Sequence, residues 1–142
     1  MNSEPIVLEE SFRAPVQSVW QALTDVRQMK KWYFEELQEF NPEVGFHTQF
    51  NVRNRDKDYL HMWTVTDVVP LKRIAYRWQY RGYTGDSTVV FELSDRERQT
   101  TLTLSVIGLD TFPQDNPDFT RESCTAGWNY FIRERLKAFL EV

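Results

Sequence analysis

Hydrophobic and polar residues alternate along several short segments of this chain, which is the pattern of a β-strand with one buried face. The clearest case is IAYRWQY at residues 74–80, where large apolar or aromatic residues occupy every second position. The buried face of this strand is therefore expected to be aromatic. Segments of this kind predict strands at residues 6–13, 46–53, 59–69, 74–80, 87–93 and 100–108.

Three other segments repeat their apolar residues every three or four positions, as an amphipathic helix does. The first begins at Pro15, a residue suited to a first helical turn. Thr24 or Asp25 can cap a second short helix, whose apolar face includes Trp32. Residues 116–118, Asn-Pro-Asp, favour the start of a third helix, which is predicted to run to the end of the chain.

The order of these elements indicates the fold class. One strand is followed by two short helices, then by a series of closely spaced strands, and finally by a long helix. Such spacing is typical of an antiparallel meander, and helices at both ends of it give an α+β layout. No repeat or interdomain linker is visible, so residues 1–142 are expected to form one domain.

The C-terminal segment carries a face of large apolar residues. At helical spacing they fall on one side, as expected of a helix packed on a sheet: Trp128, Phe131, Ile132, Leu136 and Phe139. Arg121 and Arg135, seven residues on either side of Trp128, project from the middle of that face. For Arg135 we favour a stem that reaches past apolar neighbours to water or pairs with Asp67 or Glu92.

Arg121 has small neighbours, which suggests a different role. Cys124, Thr125 and Gly127 leave less side-chain volume between helix and sheet than the residues that follow them. A void lined by aromatic rings with one cation would suit a small molecule, since such sites are mostly apolar with few polar anchors. The alternative is that the helix lies closer to the sheet at this point.

Composition and charge narrow the range of partners. Aromatic residues make up 15% of the 142 residues, so large rings either fill the core or line a pocket. The net charge of −4 offers no positive field to nucleic acid or an anionic membrane, and no apolar stretch reaches the roughly 18 residues of a membrane span. One cysteine and an N-terminus without a signal-peptide pattern favour a cytoplasmic location.

Few residues indicate catalysis. The sequence has no phosphate-binding glycine loop, nucleophile elbow or metal-binding histidine pair, so no metal or cofactor is expected and an enzymatic role is not favoured. His61 shares a strand face with Trp63 and Val65, where a hydrogen-bonded structural histidine is favoured over a pocket acid or base. Cys124 is interpreted as a small buried residue rather than a reactive thiolate.

Three motifs, in this order and spacing, carry a resemblance. They are APVQSVWQALTD, the run from Asp67 to Pro70 that leads to Arg73-Ile74, and Gly127-Trp128. The chain resembles, over nearly its whole length, the START-like superfamily with the helix-grip fold, and within it proteins related to the activator of heat-shock protein 90 ATPase. This resemblance implies an antiparallel sheet of about six strands curved around a long C-terminal helix, with a cavity between them in many members. Leu60-His61 stands where the family usually has a glycine, which puts the chaperone role in doubt but not the fold.

We therefore expect a small, mostly apolar ligand to bind between the C-terminal helix and the sheet. The resemblance places the end of the second short helix, with Trp32 and Phe34, at the mouth of the cavity, although a hydrophobic plug is the alternative there. Arg121 is expected to meet an anionic or carbonyl end of the ligand. The predicted ligand-binding residues are Trp32, Phe34, His61, Trp63, Tyr76, Trp78, Arg121, Cys124 and Trp128.

Two other functions fit the same sequence. A module that acts on a chaperone or another protein would show an exposed apolar or charged patch outside the gap between helix and sheet. A cyclase-type enzyme would need acid and base groups in the cavity, with His61 as the main candidate. The oligomeric state is left open between a monomer and a homodimer.

Overall fold

The computed structural model describes residues 4–141, and its centre is an antiparallel sheet of six strands. The strands lie side by side in the order β1-β6-β5-β4-β3-β2. Each strand predicted from alternation is present, and every end lies within three residues of its expected position. The bounds are β1 Ile6–Phe12, β2 His47–Asn54, β3 Lys57–Val69, β4 Arg73–Tyr80, β5 Ser87–Arg96 and β6 Gln99–Ile107.

The register of the sheet brings its aromatic residues onto one face. Trp63 of β3 lies opposite Trp78 of β4, and Val65 lies opposite Tyr76. Beyond Val65 the register shifts by one residue, as in a β-bulge, which bends and twists the strand. The predicted aromatic inner face is therefore confirmed, and the curved sheet forms one wall of the core.

Two short helices follow β1 and cover part of this face. They span Val16–Thr24 (α1) and Val26–Trp32 (α2), and Pro15 immediately precedes the first. The Asp25 side chain accepts a hydrogen bond from the Arg27 backbone N–H at 3.1 Å, which confirms it as the cap of α2.

The long helix begins one turn later than predicted. Asn116 does cap a turn, but this is a short 3₁₀ turn that ends at Phe119. Thr120 then has extended backbone angles, and its hydroxyl accepts from the Ser123 N–H at 3.2 Å, so it caps the helix proper. Residues 109–119, here called the lid segment, thus form two 3₁₀ turns across one end of the sheet.

The C-terminal helix is not α-helical throughout. It consists of α3 at Arg121–Asn129, a π-helical stretch at Tyr130–Leu136 and α4 at Lys137–Leu140. The wider turn of a π-helix rotates the residues that follow it relative to an ideal α-helix. Arg135, within this stretch, bonds the Tyr130 hydroxyl and the Lys31 carbonyl, so of the two alternatives expected for it the pairing with Asp67 or Glu92 is wrong.

Basic side chains of this helix bind the free edge of β1. Arg121 donates to the carbonyl oxygens of Glu4 and Pro5, at 2.6 and 3.1 Å. Further along, Arg133 donates to the Glu9 carbonyl and Lys137 to the Ser11 carbonyl. Strand β1 pairs only with β6 on its other side, so these bonds satisfy carbonyls that an edge strand would otherwise leave to solvent.

Candidate ligand-binding site

A pocket of about 300 Å³ lies between the C-terminal helix and the sheet, beside the lid segment. Strands β2 to β4 form one wall, α3 and the start of the π-helical stretch form another, and Phe34 closes the inner side. Its lining residues are Phe34, Val52, Arg53, Asn54, Tyr59, His61, Trp78, Tyr80, Asp118, Phe119, Cys124, Gly127, Trp128 and Phe131.

Five of the nine residues predicted to bind a ligand line this pocket. They come from the segment that follows α2, from β3 and β4, and from α3: Phe34, His61, Trp78, Cys124 and Trp128. The structure therefore brings together residues that lie up to 94 positions apart in the sequence.

Three of the others lie in the core behind the pocket. Trp32 is fully buried, and its indole N–H donates to the Ala22 carbonyl at 2.7 Å. The Tyr76 hydroxyl is bonded to that of Tyr33 at 2.8 Å, and Trp63 is enclosed by other rings. Strand parity predicts which face a side chain occupies but not how deep it lies, and these three sit below the layer that lines the pocket.

Arg121 does not lie in the pocket, and its expected position there is wrong. Its guanidinium donates to the carbonyls of Glu4 and Pro5, both of which precede β1. The helix begins at residue 121, so this cation lies in its first turn and binds the N-terminal segment instead of lining the pocket. Arg121 is therefore not placed to bind the anionic end of a ligand in this pocket.

The small residues of α3 leave open space rather than a close contact with the sheet. A Cβ atom built on Gly127 would meet no atom within 4 Å outside the helix. Cys124, one turn earlier, lines the same space. Of the two interpretations of the small residues, the structure supports the cavity.

His61 is a deeply buried polar side chain in the pocket wall. Only 5% of it is exposed, and it is surrounded by the rings of Phe34, Phe50, Trp78 and Tyr80. Burial lowers the pKa of His61 to about 4, although its bond to the Tyr59 carbonyl acts in the opposite direction. The imidazole is therefore neutral at pH 7.

The tautomer of His61 follows from its one hydrogen bond. Nδ1 lies 3.0 Å from the carbonyl oxygen of Tyr59. A carbonyl can only accept, so the proton is on Nδ1 and the lone pair is on Nε2. A neutral imidazole with a pKa near 4 is a weak general base at pH 7, which does not favour the cyclase alternative.

A hydrogen-bonded network ties the lid segment to the hairpin between β2 and β3. The Tyr59 hydroxyl donates to Asp118 Oδ2 at 2.5 Å, and Asn54 donates to Oδ1 of the same carboxylate at 3.1 Å. Asn116 in turn donates to the Tyr59 oxygen at 3.2 Å. Burial, together with the neighbouring Asp118, raises the pKa of Tyr59 to about 12, so the phenol stays protonated.

Asn54, Tyr59 and Asp118 were not predicted as site residues. Each belongs to a segment whose partner is far away in sequence, and neither periodicity nor a motif links the hairpin to the lid segment. An Asp placed directly after Asn116-Pro117 was interpreted only as part of a helix start.

Cys124 is a small, partly buried residue. Its Sγ lies 3.8 Å from the Asp118 carbonyl oxygen, and burial, with a smaller contribution from the Asp118 charge, raises the pKa of the thiol to about 11. The thiolate is the nucleophilic form, so this cysteine is poorly suited to covalent chemistry at neutral pH.

A second, smaller cavity of about 40 Å³ adjoins the pocket. The two share the side chains that separate them, namely Trp78, Tyr80, Phe119, Cys124 and Trp128.

Comparison with known proteins supports the same fold. Protein CV1439 from Chromobacterium violaceum matches with a TM-score of 0.81 and 22% identity, covering 98% of both chains. The Aha1 dimer from Colwellia psychrerythraea matches with a TM-score of 0.71 and 23% identity, over 97% of this chain and 96% of that one. DynU16, a protein of the dynemicin biosynthetic locus, matches with a TM-score of 0.76 and 25% identity, over 99% of this chain and 48% of its own.

Further findings concern membrane-spanning helices and the family to which the sequence belongs. Within residues 4–141 no helix has the length and apolar character needed to cross a bilayer. A search of curated proteins finds no match to this chain. A sequence profile does match residues 13–141, which is most of the chain, and its family is described as activator of Hsp90 ATPase homolog 1-like protein. The chain is therefore a member of the activator of Hsp90 ATPase homolog 1-like family, with the helix-grip α+β fold that its sequence predicts.

Proposed function

We propose that this protein binds a small, mostly apolar molecule in the pocket between the C-terminal helix and the sheet. The observation that carries the proposal is the open space of about 300 Å³ at Gly127, lined mostly by aromatic rings. Small-molecule sites are concave, largely apolar and begin at about this volume. The rings of Phe34, Trp78, Trp128 and Phe131 would supply most of the contact area.

The lining groups favour a neutral ligand over an anion. Arg53 and Asp118 are the charged residues among the described side chains of the pocket, and both lie near the hairpin and lid. Arg53 is already paired with Asp58 at 3.1 Å. An anion placed further in would lose its water without gaining a cation, which is costly. A neutral ligand therefore replaces the ligand with an anionic end that the expected position of Arg121 had suggested.

The experiment is to fill the pocket at Gly127. In Gly127→Leu, the new side chain would enter the open space, while Ala126→Leu places the same bulk on the exposed side of the helix. Calorimetric titration with 2-naphthol as the probe should show binding to the original protein and to Ala126→Leu. Gly127→Leu should weaken binding at least tenfold, and equal affinity in all three proteins would overturn the proposal.

Action on a chaperone is the competing function, and the family description is what favours it. It would need a docking surface, and the large apolar residues exposed in the described chain are Val7, Val44, Leu71, Ile107 and Tyr130. Val7 and Ile107 lie on the neighbouring strands β1 and β6, whereas the other three belong to other segments. An Hsp90 ATPase assay with the purified protein separates the two functions. A stimulated rate that survives Gly127→Leu would establish the chaperone role independently of the pocket. Cytoplasmic location and the choice between monomer and homodimer stay predictions.

A further inference from the structure

Two polar groups in the pocket wall have unused hydrogen-bonding capacity. Nε2 of His61 has no hydrogen-bond partner among residues 4–141, since the only bond of this ring is the one from Nδ1 to the Tyr59 carbonyl. The hydroxyl of Tyr80 likewise makes no hydrogen bond of good geometry to any described residue. The two rings meet edge to face with centroids 4.8 Å apart, and both line the pocket.

The two groups differ in the hydrogen bond that each can make to a ligand. His61 is neutral with its proton on Nδ1, so Nε2 can only accept. Tyr80 has a raised pKa, chiefly because it is buried, and its phenol therefore keeps its proton. The pocket wall thus carries one acceptor and one donor on two adjacent rings.

The neighbouring Trp78 does not compete for the Tyr80 proton. Its ring centroid lies 6.4 Å from that of Tyr80, and its indole N–H is buried with no hydrogen-bond partner among the described residues. An indole N–H can only donate, so it leaves the hydroxyl hydrogen of Tyr80 available to a ligand.

We propose that the ligand carries a neutral hydroxyl at its inner end, which donates to His61 Nε2 and accepts from the Tyr80 hydroxyl. This inference rests on the proposed function of the pocket. An alcohol or phenol satisfies both protein groups at once because a hydroxyl is donor and acceptor. An ether or ketone accepts from Tyr80 but leaves Nε2 unsatisfied, and a carboxylate brings a charge that no described cation in the inner pocket offsets.

Three naphthalene probes of similar size separate these possibilities. The 2-naphthol probe has a hydroxyl, 2-methoxynaphthalene keeps the oxygen without the hydrogen, and 2-naphthoate carries a negative charge. Leaving one buried partner unsatisfied is expected to weaken binding about tenfold or more. In calorimetric titrations at pH 7 we expect 2-naphthol to bind at least tenfold more tightly than either of the other two.

Two conservative variants test the protein groups. Tyr80→Phe removes only the hydroxyl. His61→Phe replaces the imidazole by another aromatic ring, which has no nitrogen to accept a hydrogen bond. Each should reduce the preference for 2-naphthol over 2-methoxynaphthalene to about threefold or less, with little change in the affinity for 2-methoxynaphthalene in His61→Phe. Tyr83→Phe is the matched control, because Tyr83 is a nearby phenol that does not line this pocket.

The outcomes distinguish this inference from the function on which it rests. If the probes bind, Gly127→Leu blocks them, and the original protein shows no preference for 2-naphthol, the hydroxyl inference is overturned and the pocket stands. A preference that persists unchanged in both Tyr80→Phe and His61→Phe also overturns it. If no probe binds, or if Gly127→Leu leaves binding intact, the proposed function fails and this inference fails with it.

Discussion

Arg121 and Glu4 are joined although they lie 117 positions apart, because the guanidinium at the start of the C-terminal helix donates to the Glu4 carbonyl at 2.6 Å. A second bond from the same group reaches the Pro5 carbonyl at 3.1 Å. Arg121 thereby fixes the segment that leads into β1, and Arg133 and Lys137 continue the same contact along the strand. The charged residue that looked like a ligand anchor has a structural partner instead.

Replacement of Arg121 should therefore affect stability and not the pocket. We expect Arg121→Met to lower the free energy of unfolding by roughly 1 kcal/mol, the net value of partly exposed hydrogen bonds to a charged group. Urea denaturation would measure this change. Binding of 2-naphthol should stay within about twofold of the original value, and a tenfold loss of affinity without loss of stability would restore the ligand role.

The contrast between Arg121 and His61 shows what the sequence could predict. Strand parity placed His61 on the inner face beside Trp63, and the sheet confirms this because the alternation of side chains is a property of any strand. The helical spacing of Arg121 gave its direction around the helix axis. It could not give the partner of the guanidinium, which lies 117 positions away in the segment before β1.

Two further features lay beyond sequence reasoning for related reasons. The π-helical stretch Tyr130–Leu136 changes the direction of Arg135, and such a stretch leaves no clear signal in an apolar pattern. The bond between Tyr59 and Asp118 joins residues 59 positions apart, and it exists only because the lid segment folds back over the hairpin. Elements could be predicted locally, whereas the polar contacts between distant elements could not.

Tyr59 should control how firmly the lid segment is held. In Tyr59→Phe the donor to Asp118 is lost, and we expect the free energy of unfolding to fall by about 1–2 kcal/mol, because the carboxylate loses one hydrogen bond. Amide hydrogen exchange in residues 109–119 should become faster while exchange in β4 and β5 stays nearly unchanged. Tyr83→Phe removes a phenol from the same aromatic cluster and serves as the control. Equal exchange rates in the two variants would show that the network does not restrain the lid.

Cys124 should react slowly with thiol reagents. Its pKa of about 11 leaves a thiolate fraction at pH 8 that is roughly 100-fold smaller than that of an ordinary cysteine. Reaction with a disulfide reagent should accelerate steadily as the pH is raised toward 10, and unfolding in urea should remove the protection. Because Cys124 lines the pocket, saturating 2-naphthol should slow the reaction further. Modification at the rate of a free thiol at pH 8 would contradict the burial of this side chain.

His61 should make the folded state sensitive to mild acid. Its pKa is lowered by burial to about 4 in the folded protein, whereas an unfolded histidine titrates near its ordinary value of 6.5. Between these two values the unfolded chain binds a proton that the folded chain does not, so stability is present above pH 6.5 and declines as the pH falls toward 4. The loss attributable to this one group should approach roughly 3 kcal/mol and then level off.

The comparison that isolates this effect is His61→Phe, which lacks the titrating group. The four rings around His61 include one other titratable group, Tyr80, whose raised pKa keeps it neutral in this range, and Arg53 and Asp118 are the charged residues of the same pocket. These groups are present in both proteins, so urea unfolding curves measured from pH 7 to pH 4 should differ in slope by the contribution of His61 alone. We expect stability to fall more steeply with acid in the original protein than in the variant. Parallel curves would mean that His61 is protonated as easily in the folded protein as in the unfolded chain, and that Nε2 has free access to water.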